Sequence, residues 1–254
     1  MPLSKQSLLN IARQICPPLL WSTAKILRNV LSFRKATPQY YGLLELDRKL
    51  EKYLDYDNGF FIEIGGWDGI TFSNSLYFEK NRGWMGILIE PAPTEYLKCK
   101  KNRPLAKVFC CACVPFCYRE MFLPMTFCAS MTFAHSTPSL INQIHDIDAH
   151  LMSGLQFLNE AESVYRFGAV AKPLSEVIDE AQVNRKIDLL ILDVEGFELN
   201  VLRGIDFQRH RPKFICVEVR ELAPIEEFLV ANGYRVEAKL TDYPDNQDYL
   251  FRCE

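Results

Sequence analysis

The sequence predicts an α/β fold, a doubly wound, seven-stranded mixed sheet with a long insertion after the third strand. Between residues 43 and 254, short apolar runs typical of buried strands alternate with segments whose apolar residues recur at helical spacing. The last two runs are separated only by residues 241–246, too few for a parallel crossover, so the final strand is expected to be antiparallel. Residues 114–172 fit no position in this sheet and form the insertion.

The predicted elements alternate regularly on both sides of the insertion. Strands are predicted at 59–64, 85–90, 106–113, 187–192, 213–219, 234–239 and 247–252. Helices are predicted at 43–55, 72–81, 93–102, 174–181, 197–203 and 224–231. Within the insertion, residues 120–125 are expected to form a hairpin with the run that follows them. The insertion is expected to face the substrate, because ligands of open α/β sheets bind beyond the carboxyl ends of the strands.

Residues 1–44 form a basic extension that differs in charge from the rest of the chain. They contain no acidic residue, and their basic residues are Lys5, Arg13, Lys25, Arg28, Arg34 and Lys35. Apolar residues recur at helical spacing on both sides of the Pro17-Pro18 pair, which predicts two short amphipathic helices. No apolar stretch reaches the roughly 20 residues that span a bilayer, and the prolines interrupt any signal-peptide core. Two interpretations stay open: the extension docks on its own domain, or it makes a peripheral contact with an anionic membrane surface.

Charge and cysteine content narrow the class of protein. A net charge of -3 and a pI near 5.9 give no overall attraction to nucleic acid, so no nucleic-acid partner is expected. Nine cysteines are an odd number in a chain large enough to fold without disulfides. This favours reduced thiols and a cytoplasmic location, with a position at the inner membrane surface if residues 1–44 bind lipid.

The first predicted strand ends at a pair of glycines that favour a ligand crevice. The apolar run Phe60–Ile64 is followed by Gly65 and Gly66, which permit a tight turn and a close approach of the backbone to a ligand. Ser73 and Asn74 then open a helix, where they can cap its free N–H groups and also bind the polar groups of a ligand.

The composition of this turn disfavours a dinucleotide. A dinucleotide-binding turn has glycines at its first, third and sixth positions, but counting from Gly65 the third and sixth are Trp67 and Ile70. The turn also carries Asp68, which would repel a phosphate. A nucleotide-sugar or NAD-linked enzyme is therefore the less favoured interpretation.

Acidic residues in and beyond the turn favour a cationic nucleoside instead. Glu90 ends the second strand, a position from which a carboxylate can accept hydrogen bonds from both hydroxyls of a ribose. Glu63, Asp68 and Glu90 are expected to line one crevice. S-adenosylmethionine bears a ribose, a sulfonium and an ammonium group and no phosphate, so it fits this description. A Gly-Gly turn and a strand-end glutamate also occur in ordinary α/β connections, and this alternative stays open.

Several blocks of the sequence resemble the FkbM-type methyltransferases. They are E-I-G-G-W-D-G, T-F-S-N-S, G-W-M-G-I-L-I-E-P and K-K-N-R-P within 61–104, and I-D-L-L-I-L-D-V-E-G-F-E-L-N-V-L-R-G at 187–204. The resemblance extends over residues 55–252 and implies a class I, Rossmann-like methyltransferase domain within 45–254. It implies a transferase that uses S-adenosylmethionine, usually for methylation of an oxygen on a sugar or a secondary metabolite.

The resemblance also implies roles for individual residues. Glu63, Gly65 and Gly66 would face the methionine half of the cofactor, and Glu90 would hold its ribose. Trp67 departs from the family pattern, in which a smaller or polar residue is more usual at this position.

Acids that follow two later strands are the candidate catalytic residues. A predicted strand ends at Asp193, Glu195 follows two residues later, and the next strand places Glu218 near its own carboxyl end. Consecutive strands are usually neighbours, so the three carboxylates are expected to converge. Methyl transfer to a hydroxyl needs a positioned acceptor and a general base, and each of the three can serve as that base. Alternatively they hold a divalent cation such as magnesium. In a third interpretation Asp193 fixes the cofactor or a backbone turn, Glu195 caps the next helix, and Glu218 pairs with Arg220 or Arg203.

Histidines of the insertion offer a further candidate base. His135 is the preferred one, because it lies in a loop that should cover the acceptor, whereas His145 and His150 lie in a predicted polar helix. A solvated surface position is the alternative for His135.

The favoured function is S-adenosylmethionine-dependent O-methylation of a hydroxyl on a sugar, glycolipid or secondary metabolite, with a small-molecule or glycan acceptor as the partner. The alternative from another class is a non-catalytic, cofactor-binding module docked to a membrane or a partner protein.

Overall fold

The computed structural model describes residues 38–243 and 246–254. The predicted amphipathic helices of the basic extension lie outside these residues, and the membrane contact stays a prediction. Within the described residues, no helix combines the length and apolar character needed to cross a bilayer.

The described residues form eleven strands and seven α-helices, with a short 3-10 turn at Leu43–Glu45. The strands are β1 (Phe60–Ile64), β2 (Met85–Ile89), β3 (Lys107–Phe109), β4 (Ala112–Cys113), β5 (Phe122–Phe127), β6 (Phe133–Ala134), β7 (Tyr165–Lys172), β8 (Leu189–Leu192), β9 (Phe214–Val219), β10 (Tyr234–Lys239) and β11 (Gln247–Cys253). The helices are α1 (Leu46–Glu51), α2 (Leu76–Arg82), α3 (Pro93–Asn102), α4 (Ile147–Leu155), α5 (Leu174–Glu180), α6 (Glu198–Leu202) and α7 (Leu222–Ala231).

The main sheet has seven strands in the order β10-β11-β9-β8-β1-β2-β3. The five strands β9, β8, β1, β2 and β3 are parallel to one another. Strand β11 is antiparallel to both β9 and β10. The predicted seven-stranded mixed sheet with one reversed strand is confirmed. Because β1, β2, β8 and β9 are parallel, the loops after them meet at one edge of the sheet.

Side chains of the central strands alternate between two apolar cores, one on each face. Phe60, Ile62 and Ile64 of β1 belong to the core with α5, α6 and α7, whereas Phe61 belongs to the core with α1 and α2. Every residue of β1 and β8 is buried, which explains why these strands appear in the sequence as continuous apolar runs. Helices on both faces confirm the doubly wound arrangement.

The prediction of one long third strand is wrong. The apolar run at 106–113 divides into β3, which joins the main sheet, and β4, which pairs with β7 in a second sheet of order β4-β7-β5-β6. An unbroken apolar run cannot show where the chain passes from one sheet to another. The insertion therefore contains a sheet of its own, and its predicted hairpin is confirmed by the antiparallel pairing of β5 with β6.

Two helices begin later than predicted, because residues with left-handed backbone precede them. Leu44 and Glu45 have φ of 49° and 56°, so α1 begins at Leu46 rather than at 43. Phe72 has φ of 58°, and α2 begins at Leu76 rather than at 72. The predicted α3 is confirmed at Pro93–Asn102, with proline in the first turn.

Candidate active site

A narrow cleft lies where the carboxyl ends of β1, β2 and β8 meet. Its enclosed volume is about 60 Å³. The loops of the main sheet supply one wall, and the β5–β6 hairpin of the second sheet covers it. The lining residues are Gly65, Trp67, Glu90, Pro91, Met125, Ala129, Ser130, Thr132, Asp193, Val194 and Glu195.

Gly65 allows the loops after β1 and β8 to approach each other closely. Its φ is +90°, and a Cβ added at this position would lie 1.9 Å from the carbonyl oxygen of Asp193. The N–H groups of Gly65 and Gly66 both donate to the carbonyl of Ile89, each at 3.1 Å. No other residue type fits both this backbone conformation and this close contact. Steric exclusion of a Cβ therefore explains why glycine occupies this position.

Glu90 lies at the floor of the cleft with its carboxylate held by backbone groups. Its Oε2 accepts from the N–H of Trp67 at 2.9 Å and its Oε1 from the N–H of Ala92 at 2.8 Å. Burial raises the pKa of Glu90 to about 8, against the lowering effect of these two hydrogen bonds. Each carboxylate oxygen has two lone pairs, so both oxygens retain capacity to accept from the hydroxyls of a ribose.

Glu63 is directed below the cleft, into the loop that precedes α2. Its buried carboxylate accepts from the Ser73 hydroxyl at 2.9 Å, the Asn74 N–H at 2.7 Å and the Ser75 hydroxyl at 2.5 Å. These bonds hold residues 73–75 against β1 and explain why the helix does not begin there. Glu63, Ser73 and Asn74 are not among the residues that line the cleft, so their predicted contact with a cofactor stays a prediction.

Arg103 completes this network from the end of α3. Its side chain is fully buried, and the guanidinium donates to the Gly69 carbonyl at 3.1 Å and to the hydroxyls of Ser73 and Ser75 at 3.0 Å each. Its Nε donates to Glu79 at 3.0 Å. The K-K-N-R-P block quoted from the sequence thus contains the guanidinium that fixes the loop between β1 and α2.

Asp68 organises the same loop locally. Its carboxylate accepts from the N–H groups of Ile70 and Thr71 at 2.8 and 2.7 Å and from the Thr71 hydroxyl at 2.8 Å. Like Gly66, which packs on Leu88, it does not line the cleft. Of the seven predicted cofactor-binding residues, the structure brings only Gly65 and Glu90 to the cleft itself.

The three predicted catalytic acids do converge. Asp193, Glu195 and Glu218 each offer a carboxylate oxygen, and these oxygens all lie within 4.8 Å of one another. We call these three residues the carboxylate cluster. Asp193 and Glu195 also line the cleft, so the cluster stands at its border. The expectation that β8 and β9 are neighbours is the reason that the sequence could predict this convergence.

Desolvation raises the pKa of each acid in the cluster, and neighbouring negative charge adds to the effect. Asp193 is surrounded closely by protein atoms, and this desolvation together with the charge of Glu195 raises its pKa well above the usual value. Desolvation and the charge of Asp193 do the same for Glu218. Burial raises the pKa of Glu195 to about 7, although Arg220 opposes the shift. Glu195 can therefore exchange a proton near neutral pH.

Arg220 is the cation that the structure places against the cluster. Its Nη2 donates to Oε2 of Glu195 at 2.7 Å, so Glu195 rather than Glu218 is its partner. Glu198, which was not predicted from the sequence as a site residue, stabilises the turn between β8 and α6. Its Oε1 accepts from the N–H groups of Val194 and Gly196, both at 3.1 Å. The helix α6 has no side-chain cap, so the capping role expected for Glu195 is not observed.

A second and larger cavity, of about 510 Å³, lies on the other side of the cluster. We call it the polar cavity. It lies between α4 and the connection from β10 to β11, and it is lined by Met131, Gln143, Ile144, His145, Asp146, Ala149, His150, Ser153, Arg220, Tyr243 and Asn246. Arg220 links it to Glu195, and Asn246 donates to Oε1 of Glu218.

His145 and His150, not His135, are the histidines that line the polar cavity. The buried His150 donates from Nε2 to the carbonyl of Met131 at 3.0 Å, and the same atom lies 3.8 Å from Oε2 of Glu195. Burial lowers the pKa of His150 and the charge of Arg220 lowers it further, against the raising effect of the bond to Met131. His135 hydrogen-bonds the hydroxyl of Thr126 in the second sheet and lines neither the cleft nor the polar cavity. A base role for His135 has no support in this geometry.

Comparison with known proteins identifies the family. The chain matches the family described as "Methyltransferase FkbM domain" over residues 63–236. This protein belongs to the FkbM methyltransferase family. A curated relative from Beauveria bassiana (strain ARSEF 2860), named Methyltransferase 1, is 25% identical over 208 residues, covering 76% of this chain and 80% of that protein.

Solved structures of other methyltransferases are similar at low sequence identity. The delta-N METTL16 MTase domain is 14% identical, with a TM-score of 0.46 and coverage of 83% of this chain and 80% of that chain. The human methyltransferase 10 domain containing protein is 13% identical, with a TM-score of 0.45 and coverage of 91% and 95%.

The cofactor of this FkbM-family methyltransferase is S-adenosylmethionine. The residues of the cleft fit it: Glu90 has lone pairs free for a ribose, and the carboxyl oxygens of Asp193 and Glu195 can accept from an ammonium group. The enclosed volume of the cleft, about 60 Å³, is smaller than the roughly 300 Å³ at which ligand pockets begin. The family match disfavours the NAD-linked interpretation.

Proposed function

We propose that this protein is an O-methyltransferase that acts on a hydroxyl of a sugar, glycolipid or secondary metabolite, with the carboxylate cluster as the source of the general base. The position of the cluster carries the proposal: it lies between the cofactor cleft and the polar cavity, where an acceptor hydroxyl would meet the methyl donor.

The chemistry requires a proton acceptor at this point. S-adenosylmethionine supplies an electrophilic methyl group on a sulfonium. As the new C–O bond forms and the S–C bond breaks, the hydroxyl proton must leave, and a carboxylate within hydrogen-bond reach can accept it. Glu195 is the favoured base, because burial raises its pKa to about 7, which matches a neutral working pH, and because it lines the cofactor cleft. Asp193, which also lines the cleft, would hold the hydroxyl.

The test separates cofactor binding from turnover. We expect S-adenosylhomocysteine, but not NAD, to bind in calorimetry. The substitutions Asp193→Asn and Glu195→Gln should keep that affinity within a few fold and lower the rate of methyl transfer on the order of 100-fold, the usual effect of losing a general base. Glu176→Gln, at an exposed acid of α5, is the matched control. Undiminished turnover would remove the cluster from the mechanism, and failure to bind S-adenosylhomocysteine would contradict the function itself.

A divalent cation remains an alternative role for the cluster. Three oxygens within 4.8 Å of one another can bind a hard cation, although Arg220 already neutralises Glu195. We expect turnover to persist after dialysis against EDTA if the base acts alone. Loss of turnover with recovery on added magnesium would instead assign the cluster to a metal.

A further inference from the structure

We propose that a further cavity, at the edge of the main sheet away from the cofactor cleft, binds a ligand that carries two or more phosphate groups. We call it the basic cavity. Its volume is about 840 Å³, and it is lined by Ile178, Val183, Asn184, Arg185, Lys186, Ile187, Asp188, Arg209, His210, Arg211, Lys213 and Cys253.

The basic cavity lies at the amino edge of the main sheet. Most of its lining residues precede β8 or β9, whereas Gly65, Glu90 and Asp193 of the cofactor cleft each follow a strand. Asp188 lines the basic cavity and Asp193 lines the cleft, and the extended chain of β8 separates the two residues by about 16 Å. A ligand in the basic cavity therefore binds away from the reacting atoms.

Five cationic residues surround this cavity, although the net charge of the whole chain is -3. All five are exposed, and they are Arg185, Lys186, Arg209, Arg211 and Lys213. Their two chain segments lie side by side because β8 pairs with β9, and the Lys213 N–H donates to the Ile187 carbonyl at 2.9 Å. Like charges held this close repel one another, so a bound anion would stabilise the arrangement.

Acidic side chains compensate little of this charge. Within 38–243 and 246–254, Arg209 is the only one of the five that forms a salt bridge, with Asp179 at 2.7 Å. Asp188 is the one acid among the lining residues, and its oxygens accept from the Tyr56 hydroxyl at 2.7 Å and from a backbone N–H at 2.8 Å. The rest of the chain contains a single acid, Asp245, which can compensate at most one of the other four cations. At least three positive charges are therefore available to an anionic ligand.

Neutral groups hold three of these cations in place. The guanidinium of Arg211 donates to Sγ of Cys253 at 3.0 Å and to two backbone carbonyls at 3.2 and 3.3 Å, which leaves two of its five N–H bonds for a ligand. Nζ of Lys213 lies 4.6 Å from the centre of the Tyr56 ring, and Nη2 of Arg185 donates to a backbone carbonyl at 2.6 Å. Side chains already held by neutral partners keep their charge and lose less conformational entropy when a ligand binds.

The shape and charge of the basic cavity define its ligand. Guanidinium and ammonium groups are the side chains that recognise phosphate, and here two loops supply them to one space. A volume of about 840 Å³ lies within the roughly 300–1,000 Å³ typical of small-molecule sites, and it exceeds what one phosphate fills. Ile178, Val183 and Ile187 add an apolar part that suits the carbon scaffold of such a ligand. The phosphates can belong to a free molecule or to a lipid headgroup.

Calorimetry on the full chain tests the site. The probes are inositol hexakisphosphate, pyrophosphate and sulfate in about 0.15 M sodium chloride, where exposed charges more than about 8 Å apart are largely screened. We expect inositol hexakisphosphate to bind most tightly and sulfate at least tenfold more weakly than pyrophosphate. The double substitution Arg185→Gln and Lys186→Gln should weaken binding of both phosphate probes at least tenfold.

The matched control removes two charges elsewhere. Lys100 and Lys101 are exposed residues of α3 that do not line the basic cavity. Lys100→Gln with Lys101→Gln should leave the affinity for the phosphate probes unchanged. Equal losses in the two double variants, or no binding of either phosphate probe to the original chain, would overturn the site.

A charge-conserving variant separates a built site from diffuse positive charge. Arg211→Lys keeps the charge and removes the planar fork, so we expect about tenfold weaker binding of pyrophosphate, the effect of losing one charge-assisted hydrogen bond. Undiminished binding by Arg211→Lys would contradict a built site. Circular dichroism verifies that each variant folds, and the exposed pair Arg185 and Lys186 decides the outcome if Arg211→Lys does not.

Vesicles distinguish the two sources of phosphate. Sedimentation with phosphatidylcholine vesicles that contain phosphatidylinositol bisphosphate, lost in the double variant of Arg185 and Lys186, would support the site and assign its ligand to a lipid headgroup. Binding of the soluble probes without such sedimentation would support it as a site for a free molecule. Because none of these measurements involves methyl transfer, failure of the basic cavity would leave the proposed function intact, and failure to bind S-adenosylhomocysteine would leave the basic cavity intact.

Discussion

At the scale of single residues, Arg103 determines the shape of the loop beneath the cofactor cleft. Its buried side chain donates hydrogen bonds to Gly69, Ser73, Ser75 and Glu79. Loss of this side chain would leave those buried polar groups without a partner. We expect Arg103→Ala to lower the free energy of unfolding by about 3–5 kcal/mol, the range for breaking a buried ion pair. Urea unfolding followed by circular dichroism measures it. Lys101→Ala, at an exposed residue two positions earlier, should stay within about 0.5 kcal/mol, and an equally small effect at Arg103 would contradict the network.

If Glu195 is the general base, as proposed, its pKa determines how activity depends on pH. A general base must be ionised, so a pKa raised to about 7 predicts that kcat/KM rises as pH increases through about 7 and levels above it, whereas an ordinary glutamate would already be ionised near pH 5. The pKa observed belongs to the coupled acids together. A pH–rate profile checks this: Glu195→Gln should lose the rising limb and Glu176→Gln should keep it. A flat profile between about pH 5.5 and 8 would exclude this base.

Sequence reasoning located acids more successfully than histidines. The carboxyl ends of parallel strands lie at the same edge of the sheet. Asp193, Glu195 and Glu218 follow or end two neighbouring strands, so their proximity could be predicted from the sequence alone. A histidine in an insertion has no such constraint. His150 reaches Glu195 only because α4 packs over the polar cavity, and neither helical spacing nor composition encodes that docking.

At the scale of elements, the turn after β1 depends on Gly65. An alanine there would need an unfavourable φ of +90° and would place its Cβ 1.9 Å from the Asp193 carbonyl. We expect Gly65→Ala to separate the loops after β1 and β8 and to weaken S-adenosylhomocysteine binding at least tenfold in calorimetry. Gly168→Ala in β7 is the matched control, because its nearest contact would be 3.3 Å, to a side chain. Equal affinities for the two variants would show that the close approach is dispensable.

The central strands of the main sheet could be predicted because they are buried apolar runs, and its helices because their apolar residues recur at helical spacing. The second sheet could be predicted only as the hairpin of β5 and β6. Its strand β5 contains a proline and alternates only in part, and β6 has two residues, so its pairing comes from tertiary packing against β7. Two helices also begin later than predicted because residues with left-handed backbone precede them. The pattern of apolar and polar residues does not indicate such a backbone conformation.

At the scale of the whole molecule, the cofactor cleft and the polar cavity lie on either side of the carboxylate cluster. The part of the cleft formed by Gly65, Glu90 and Asp193 could be predicted, since these residues follow strands of one parallel sheet. The polar cavity could not, because α4, Arg220 and the residues beside the β10–β11 connection are distant in sequence and meet only in the folded chain. The family resemblance predicted the fold and the cofactor.

The link between Glu63 and Arg103 also has a consequence for synthesis of the chain on the ribosome. Glu63 lies in the first strand and Arg103 follows α3, so the nascent chain holds the carboxylate well before its guanidinium partner is translated. The donors of residues 73–75 follow Glu63 closely in the chain, whereas the guanidinium comes only after α3. The buried carboxylate therefore gains its full set of partners only once the chain has been synthesised past Arg103.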